Sequence, residues 1–248
     1  MDRPRRTHAE ARSLMRAGIV RHGRAQLAEK GAAALSVREI ARGLGVASSA
    51  IYRHVANRDA LLTLLVVDAY TELARHVEAG IDVGLRPEGP AGADDATRLG
   101  RLARAMREWA IAQPASWALL YGSPVPGYEA PAGETTSPGT RVMAMFVGAL
   151  AGGSAARRDP DGPRVSPALA SVLAAGVADL DAQHSFPQFA RLAFEAPGFA
   201  ADAIEAWTGL IGLISAEIFE QLGPDLARHG EELLERWVAR TVVRFGLG

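Results

Sequence analysis

The chain has 248 residues, of which 48% are hydrophobic and none is cysteine, and its formal net charge is −1. This length and apolar content can build one large core or two smaller ones, and the balanced charge excludes a wholly disordered acidic or basic chain. The lack of cysteine excludes a disulfide framework, a thiolate zinc site and a cysteine nucleophile, and is typical of a cytoplasmic protein.

The charge is unevenly distributed along the chain. Residues 1–60 carry twelve Lys and Arg against five Asp and Glu, whereas the remainder carries fifteen against twenty-three. The first quarter is therefore at +7 and the rest at −8. A basic segment on an acidic remainder predicts contact with a polyanion, although charge alone leaves chance surface composition open.

The periodicity of the chain predicts an all-α protein. Ala, Leu, Arg and Glu recur at helical spacing, and alternating β-branched runs are nearly absent. Stretches rich in Gly and Pro predict loops at 84–95, 122–139, 157–167 and 195–198. The predicted helices cover 12–30, 36–43, 47–54, 57–79, 94–112, 114–121, 138–156, 167–182, 186–195, 199–222 and 226–245. Residues 1–11 are predicted to be a flexible arm, with insertion of its arginines into a minor groove as the alternative.

Two short predicted helices in the basic quarter form a helix-turn-helix pattern. Ser36 followed by Glu39 predicts a capping box at the start of the first helix. Gly45 stands where a helix needs a left-handed residue to end, and a second helix begins near Ala47. Two short helices joined by such a turn are typical of a helix-turn-helix.

The second of these helices has two distinct faces. On a helical wheel, Ala47, Ile51 and Val55 face inward and His54 lies at the inner edge. The opposite face carries Ser49, Ala50, Tyr52 and Arg53. Such a face fits a DNA major groove, with the helix N-terminus and Arg38 near the phosphates. An ordinary surface helix is the alternative.

The stretch SVREIARGLGVASSAIYRHVANRDALL, residues 36–62, resembles the N-terminal DNA-binding domain of the TetR family of bacterial transcriptional regulators. The resemblance rests on the Ile-Ala pair, Gly45-Val46, the Tyr-x-His triplet and the Asn-Arg-x-x-Leu-Leu start of the next helix. It covers about residues 12–65. It implies a DNA-binding domain over 1–57 and a helical effector-binding and dimerisation domain over 58–248.

By position, the resemblance implies DNA contacts at seven residues. These are Arg38, Ser48, Ser49, Tyr52, Arg53, His54 and Arg58. The family often has Ser or Thr where this chain has Ala47, so we expect Ser48 to cap the helix instead.

The stretch WAIAQPASWALLYGSPVPGYEAP, residues 109–131, is similar to the C-terminal ligand domain of one branch of that family. That branch has a Trp, His and Gly in a later helix, and here Trp207 and Gly212 remain while Ile211 stands at the His position. The change favours a more apolar effector or a packing role. The candidate pocket residues, each of which could instead be core, are Trp109, Trp117, Tyr121, Tyr128, Met145, Phe146 and Trp207.

The last two predicted helices carry wide apolar stripes and small residues that allow close approach. The resemblance implies that two such helices from each subunit form a four-helix dimer interface. A two-fold dimer would also match a palindromic operator. The candidate interface residues are Ile211, Ile214, Ile218, Trp237 and Val238.

Catalytic and membrane signals are weak. None of the six histidines forms an HExxH pattern, and the sequence predicts no metal, no cofactor and no membrane-spanning segment. We therefore expect a cytoplasmic, ligand-responsive, dimeric repressor that binds double-stranded DNA and a small-molecule effector and has no enzymatic activity. The alternative is an all-α small-molecule-binding protein or enzyme with an incidental basic end.

Overall fold

The computed structural model describes residues 7–82, 93–152, 165–184 and 197–247, and the regular structure within these ranges is helical, which confirms the all-α prediction. The predicted helix at 186–195 lies outside the described residues. The described α-helices are α1 (His8–Lys30), α2 (Val37–Gly43), α3 (Ser48–Tyr52), α4 (Arg58–Asp82), α5 (Ala93–Ala112), α6 (Pro114–Tyr121), α7 (Ala132–Ala151), α8 (Pro167–His184), α9 (Pro197–Ile218), α10 (Pro224–Ala227) and α11 (Gly230–Phe245).

The chain divides into two compact units that do not follow the predicted boundary after residue 57. Unit one comprises Met1–Tyr70 and Gln113–Thr135, and unit two comprises Thr71–Ala112 and Thr136–Gly248. The first turns of α4 belong to unit one because Leu61, Leu62 and Leu65 are part of its core. The later segment joins unit one because Leu119, Val125 and Tyr128 pack against the same core.

Helix α1 begins at His8, four residues before its predicted start. Thr7 and Glu10 form a complete capping box there. The Thr7 amide donates to Glu10 Oε2 at 2.8 Å, and the Glu10 amide donates to Thr7 Oγ1 at 3.2 Å. Two otherwise unpaired amides are satisfied in this way. Residues 8–11 of the predicted arm are therefore helical, and the arginines at 3, 5 and 6 lie outside the described residues.

Only half of the capping box predicted for α2 is formed. The Ser36 hydroxyl accepts from the Glu39 amide at 3.3 Å, as expected. However, the Ser36 amide donates to Gln26 Oε1 at 2.9 Å, and the Glu39 carboxylate pairs with Lys30 at 2.9 Å. The buried Gln26 amide thus takes the place of Glu39 and ties the start of α2 to α1.

The turn between α2 and α3 is a Schellman motif. The Val46 amide donates to the Ala41 carbonyl at 3.1 Å, and the Gly45 amide donates to the Arg42 carbonyl at 3.1 Å. Gly45 has φ +67°, in the left-handed region that glycine occupies without steric cost. The turn therefore forms as the sequence predicts.

Replacing Gly45 with Ala should lower the free energy of unfolding by about 1–2 kcal/mol, because an L side chain pays this cost in the left-handed region. A Cβ at Gly45 would meet no atom within 4 Å, so the loss would come from the backbone alone. Gly133, on α7, has the same open space in a helical backbone, so Gly133→Ala should be neutral or stabilising. Chemical denaturation measures both, and equal effects would contradict the turn assignment.

Helix α3 is shorter than predicted and starts without a side-chain cap. Ala47 occupies the N-cap position in an extended conformation, and no side chain caps the helix. The expectation that Ser48 caps α3 is therefore wrong. Ser48 is the first helical residue, where its hydroxyl is too far along the helix to accept from the first free amides.

The segment 122–139 was predicted to be a loop, but its last residues are helical. Helix α7 begins at Ala132, and Pro138 lies inside it. The Pro131 carbonyl accepts from the Thr135 amide at 3.1 Å and from the Thr135 hydroxyl at 2.9 Å, which closes the first turn. Pro138 is the seventh residue of the helix, past the first turn where a proline costs nothing, so the hydrogen bond to the Glu134 carbonyl is missing there.

Unit two is built around α5, α9 and α11. Its core includes the fully buried Leu102, Phe146 and Leu210. Two bidentate ion pairs join α5 to the C-terminal helices: Arg107 with Glu217 at 2.7 and 2.8 Å, and Arg104 with Glu235 at 2.6 and 2.9 Å. The Glu235 partner raises the pKa of Arg104, and the pKa of Glu235 is correspondingly lowered, so both groups stay charged at neutral pH.

Candidate nucleic-acid interface and ligand sites

The faces of α3 lie as the wheel predicts, except that Ala47, predicted to face inward, is exposed because it precedes the first helical residue. Ile51 and Val55 are 0% and 2% exposed and belong to the core of unit one. Ser49, Tyr52 and Arg53 are exposed, and we call these three residues the outer face of α3. Tyr52 is 43% exposed although its ring is large and aromatic. An aromatic side chain held outward by two buried aliphatic anchors is available to a partner, because it contributes little to the core.

Two cations near this face are not neutralised by the residues that the structure describes. Arg53, the C-cap residue of α3, and Arg38 on α2 are both exposed, and neither has an ion-pair partner among the residues that the structure describes. Elsewhere in unit one, by contrast, Arg24 is paired with Asp68 and Lys30 with Glu39. Two free guanidinium groups beside an exposed helix suit phosphate oxygens and the edges of guanine.

The remaining predicted contacts on α3 and the following turn are placed differently. Ser48 and Ala50 are half-buried, so they contribute less to the exposed surface than Ser49. Helix α3 ends at Tyr52, and His54 therefore lies in the turn after it, with an exposed side chain. The wheel placed His54 at the inner edge, which is wrong because the helix does not continue to that residue.

Arg58 is engaged within the protein. Its guanidinium donates to the Ala32 carbonyl at 3.1 Å and to the Ala33 carbonyl at 3.3 Å, in the 3-10 turn after α1. It also lies 3.7 Å from Asp59. In this arrangement Arg58 fastens the first turn of α4 to the turn after α1. The side chain remains 32% exposed, so a phosphate contact would be shared with these bonds or would replace them.

The candidate pocket residues of unit one form an aromatic cluster. Trp117 is fully buried and its ring lies 4.5 Å from that of Tyr121, which in turn meets Tyr70 edge-on at 6.2 Å. The buried Tyr121 hydroxyl has no hydrogen-bond partner among the described residues. Burial, and to a lesser degree Tyr70, raises the pKa of Tyr121, so the phenol stays protonated. An unpaired buried donor of this kind can bond to a ligand.

Tyr128 lies apart from that cluster. It lines a cleft of about 570 Å³ between the first turns of α4 and the segment that leads into α7. His54 and Asn57, which connect α3 to α4, lie on the same cleft. The Tyr128 and Thr63 hydroxyls are 3.0 Å apart. Tyr128 therefore contacts the part of unit one that carries α3.

The other candidate pocket residues belong to unit two. Trp109 and Phe146 are 3% and 0% exposed, and Met145 and Trp207 are half-buried. The Phe146 ring lies 5.4 Å from that of Trp207, in a tilted aromatic pair. The Trp109 Nε1 atom is buried without a hydrogen-bond partner in the described part of the chain. Phe146 is thus core, whereas Trp109 offers a second unpaired donor.

Among the described residues, no group of three or more His, Asp or Glu side chains could hold a metal ion. The geometry of unit one is that of an exposed helix with free cations on a compact helical support. Such a surface suits binding of a polyanion through charge and hydrogen bonds, and this binding requires no catalytic group.

Comparison with known proteins agrees with this geometry. Residues 19–65 match the model described as bacterial regulatory proteins of the tetR family, and residues 99–241 match the tetracyclin repressor-like C-terminal domain. The HTH-type transcriptional regulators Rv1816 of Mycobacterium tuberculosis (strain ATCC 25618 / H37Rv) and Mb1846 of Mycobacterium bovis are each 41% identical to this chain over 217 residues. These alignments cover 88% of this chain and 86% of each relative.

The chain belongs to the TetR family. Two solved structures share its fold. The regulatory protein SCO4313 has a TM-score of 0.67 and 29% identity over 96% of this chain and all of the other. A Rhodococcus sp. RHA1 protein of unknown function shares the fold at TM-score 0.60 and 17% identity, over 96% of this chain and 98% of its own.

Two features of this TetR-family helix-turn-helix regulator were not predicted from its sequence. Residues 113–135 pack with unit one, although the sequence placed them in the effector-binding domain. The Val-Pro-Gly-Tyr sequence within this segment indicates a turn. Nothing in the sequence indicates which residues the turn packs against. Gln26 was also missed, because no local pattern links a glutamine in α1 to Ser36.

The candidate dimer residues of this TetR-family member divide between the core and the surface. Ile214 and Val238 are 1% and 8% exposed in the single chain, so they are core residues and that part of the prediction is wrong. Both point inward because they lie on the faces where α9 and α11 pack against each other and α5. Ile211, Ile218 and Trp237 are half-buried and remain candidates.

A groove of about 420 Å³ runs along the outer side of α9 and α11. Small residues and apolar side chains line it, with Arg236 and Arg240 at its edge. Gly209 lets Trp237 lie close to α9, since a Cβ there would be 3.2 Å from the indole Nε1. Gly212 is exposed on the same groove, and a Cβ there would meet no atom within 4 Å. The groove is therefore open for a partner surface.

Helix α9 is apolar, and Gly198–Ile218 could cross a membrane by length and composition alone. One such helix is weak evidence for a span, because the core helix of a soluble protein passes the same test of length and composition. Leu210 and Ile214 are buried in unit two. Near its start, Asp202 and Glu205 pair with Arg244 at 2.7 and 2.8 Å. These contacts are those of a core helix.

Proposed function

We propose that this TetR-family regulator is a ligand-responsive, dimeric repressor that acts in the cytoplasm and leaves its operator when a small, largely apolar effector binds. The observation that carries the DNA-binding part is the outer face of α3. Tyr52 and Arg53 are exposed there on a helix anchored by Ile51 and Val55, at the basic end of the chain. In the proposal, Ser49, Tyr52 and Arg53 enter the major groove and Arg38 binds the flanking phosphates.

The dimer follows from the requirements of the DNA site and from the open groove of α9 and α11. A single helix-turn-helix reads only a short half-site, and a two-fold dimer reads two half-sites about 34–36 Å apart. Gly212 and Trp237 lie on an exposed groove with apolar walls. A second copy of the same groove can cover these walls, since a two-fold axis places like surfaces against each other.

The effector part of the proposal rests on unpaired donors among aromatic side chains. Tyr121 in unit one offers a protonated hydroxyl with no partner, and Trp109 in unit two offers an indole N–H with none, among the described residues. An apolar molecule with one or more hydrogen-bond acceptors suits such groups. Ile211, at the position where related chains have His, adds no polar group. An effector that favours the released state about 100-fold lowers operator affinity by about 3 kcal/mol at most.

We expect the wild-type protein to bind DNA from the region upstream of its own gene with strong dependence on salt. Each phosphate contact adds about 0.9 to the magnitude of the slope of log K against log salt. Six or more contacts would therefore lower the affinity by about 10³-fold or more between 50 and 200 mM salt. Titration of labelled DNA by fluorescence anisotropy at these two salt concentrations measures the slope.

A shuffled DNA fragment of the same length and composition is the control for specificity. The proposal requires the upstream fragment to bind at least about 10³-fold more tightly than the shuffled one at physiological salt. Equal affinities would reject a specific operator in that region. They would favour the alternative of a small-molecule-binding protein whose basic end is incidental.

A further inference from the structure

A tight turn before α7 packs against the core of unit one. Residues 125–128 read Val-Pro-Gly-Tyr, and the Tyr128 amide donates to the Val125 carbonyl at 3.1 Å. Gly127 has φ +75° and follows Pro126, which is the arrangement of a type II turn. Proline fixes one backbone angle and glycine supplies the other, so this turn is largely formed before it packs. Val125 and Tyr128, at its two ends, both contact the unit-one core.

The Tyr128 hydroxyl connects this turn to the start of α4. Thr63 is 5% exposed, and its hydroxyl donates to the Asp59 carbonyl at 3.0 Å. That bond uses the only proton of the Thr63 hydroxyl. In the 3.0 Å contact between Tyr128 and Thr63, the tyrosine is therefore the donor and the threonine the acceptor. The result is a directed chain from Tyr128 through Thr63 to Asp59 in the first turn of α4.

The first turn of α4 is the support on which α3 rests. Asn57 caps it, accepting from the Ala60 amide at 2.8 Å, and Arg58 fastens it to the carbonyls of Ala32 and Ala33. Only five residues separate this turn from the end of α3, and Val55 among them is buried. A small rotation of the first turn of α4 is therefore passed to α3.

We propose that Tyr128 is a positioning residue for DNA binding: its hydroxyl, through Thr63, holds the first turn of α4 and so the angle of α3. This inference rests on the proposed function, in which the outer face of α3 contacts the operator. Tyr128 touches no DNA in this account. It acts through α4, from a segment that the sequence assigned to the other domain.

The test compares Tyr128→Phe, Thr63→Val and the double variant with wild type. Tyr128→Phe removes one hydroxyl and leaves the packing of the ring. At a temperature where all variants are fully folded, each single variant should weaken binding to the upstream DNA fragment about three- to tenfold. The double variant should be no weaker than the worse single variant, because both remove the same chain of bonds. Fluorescence anisotropy measures the affinities, and circular dichroism confirms that the variants are folded.

Thr135→Val is the matched control. It removes a buried hydroxyl from the same segment, but that hydroxyl donates to the Pro131 carbonyl at 2.9 Å, within the segment. Its loss should leave operator affinity unchanged while it lowers stability slightly. A purely structural role for Tyr128 would lower the melting temperature and leave the affinity of the folded protein as it was.

Hydrogen exchange decides the inference independently of DNA. In Tyr128→Phe, the amides of residues 54–62 should exchange about threefold faster or more, while the amides of α11 should exchange at the wild-type rate. Unchanged exchange at residues 54–62 would overturn the inference, as would faster exchange with wild-type operator affinity. If wild type itself prefers no DNA sequence, the proposed function fails, and the exchange rates alone decide whether Tyr128 holds α4.

Discussion

Replacing Arg53 with Ala should lower operator affinity by about 1–3 kcal/mol per half-site, which is the value of a good contact between arginine and a base edge. The guanidinium is exposed and has no ion-pair partner among the described residues, so its loss breaks no internal bond. Tyr52→Ala should also weaken binding, through lost contact area on the same face. Neither change should alter folding or the dimer, because Ile51 and Val55 keep α3 in place. DNA titration measures the affinity, and sedimentation measures the dimer.

The control for Arg53 is Arg21→Ala, which removes the same charge from an exposed position on α1 outside the proposed interface. Arg21→Ala should shift affinity for specific and shuffled DNA by a similar small factor. Arg53→Ala should reduce the preference for the upstream fragment, or lower the salt slope by about one if the group binds a phosphate. Wild-type affinity in both the Arg53 and Tyr52 variants would contradict the assignment of the outer face of α3.

Replacing Gly212 with Glu should convert the dimer to a monomer and lower operator affinity by about 10²-fold or more. A Cβ at this position meets no atom within 4 Å in the single chain, so the subunit can accept the side chain. In the proposed dimer the same groove is covered, and a carboxylate there would be buried without a partner. When two DNA-binding domains are no longer joined in one dimer, the operator affinity loses the gain of about 10²–10⁴-fold that joining two binding modules provides. Analytical ultracentrifugation and DNA titration measure the two effects.

Gly176→Glu makes the same change on an exposed face of α8, where a Cβ also meets nothing within 4 Å. This control should remain dimeric and should bind DNA as wild type does. Gly176→Glu should keep or raise the melting temperature, because glycine inside a helix is the less stable choice by about 0.5–1 kcal/mol. Gly212→Glu should instead lose the stabilisation that association of two subunits provides. A dimeric Gly212→Glu protein would show that the subunits associate through another surface.

These two variants test separate parts of the proposal. Arg53 acts at each half-site, whereas Gly212 acts on the linkage between half-sites. A monomeric Gly212→Glu protein that still prefers the upstream fragment weakly would show that sequence reading resides in α3. Loss of all preference would show that specificity depends on spacing between the two copies.

Local chemistry accounts for what the sequence predicted correctly in the first quarter. Gly45 ends α2 because only a residue without Cβ adopts the left-handed conformation without strain. Ile51 and Val55 face inward because their spacing places them on one side of a helix. The TetR-family assignment follows from the same short-range pattern. Each of these signals lies within a few residues, so no knowledge of the rest of the chain was needed.

The errors arose where a distant group competes with a local one. Glu39 was expected to complete a capping box, but Gln26, ten residues before Ser36, reaches its amide instead. The DNA contact expected of Arg58 stays a prediction, but no local pattern predicted its bonds to the carbonyls of Ala32 and Ala33. A capping pattern indicates which hydrogen bonds the neighbouring residues can form. It does not indicate whether a side chain from elsewhere in the chain forms them instead.

In unit two, too, the sequence pattern predicted which side of a helix is apolar but not which residues on that side are buried. The stripe on α9 predicted an apolar surface and did not distinguish Ile214, which is core, from Gly212, which is exposed. Periodicity defines the apolar side of a helix. Which part of that side meets its own subunit depends on where α5 and α11 pack.

The sequence by itself determined the all-α class, the helix-turn-helix with its outer face, and the family, because these depend on spacing and turn chemistry within short segments. Only the tertiary structure decided that residues 113–135 pack with unit one, and that Tyr128 bonds to Thr63, 65 residues away in the chain. Such long-range contacts depend on how complete surfaces fit together. No periodicity in either segment encodes that fit.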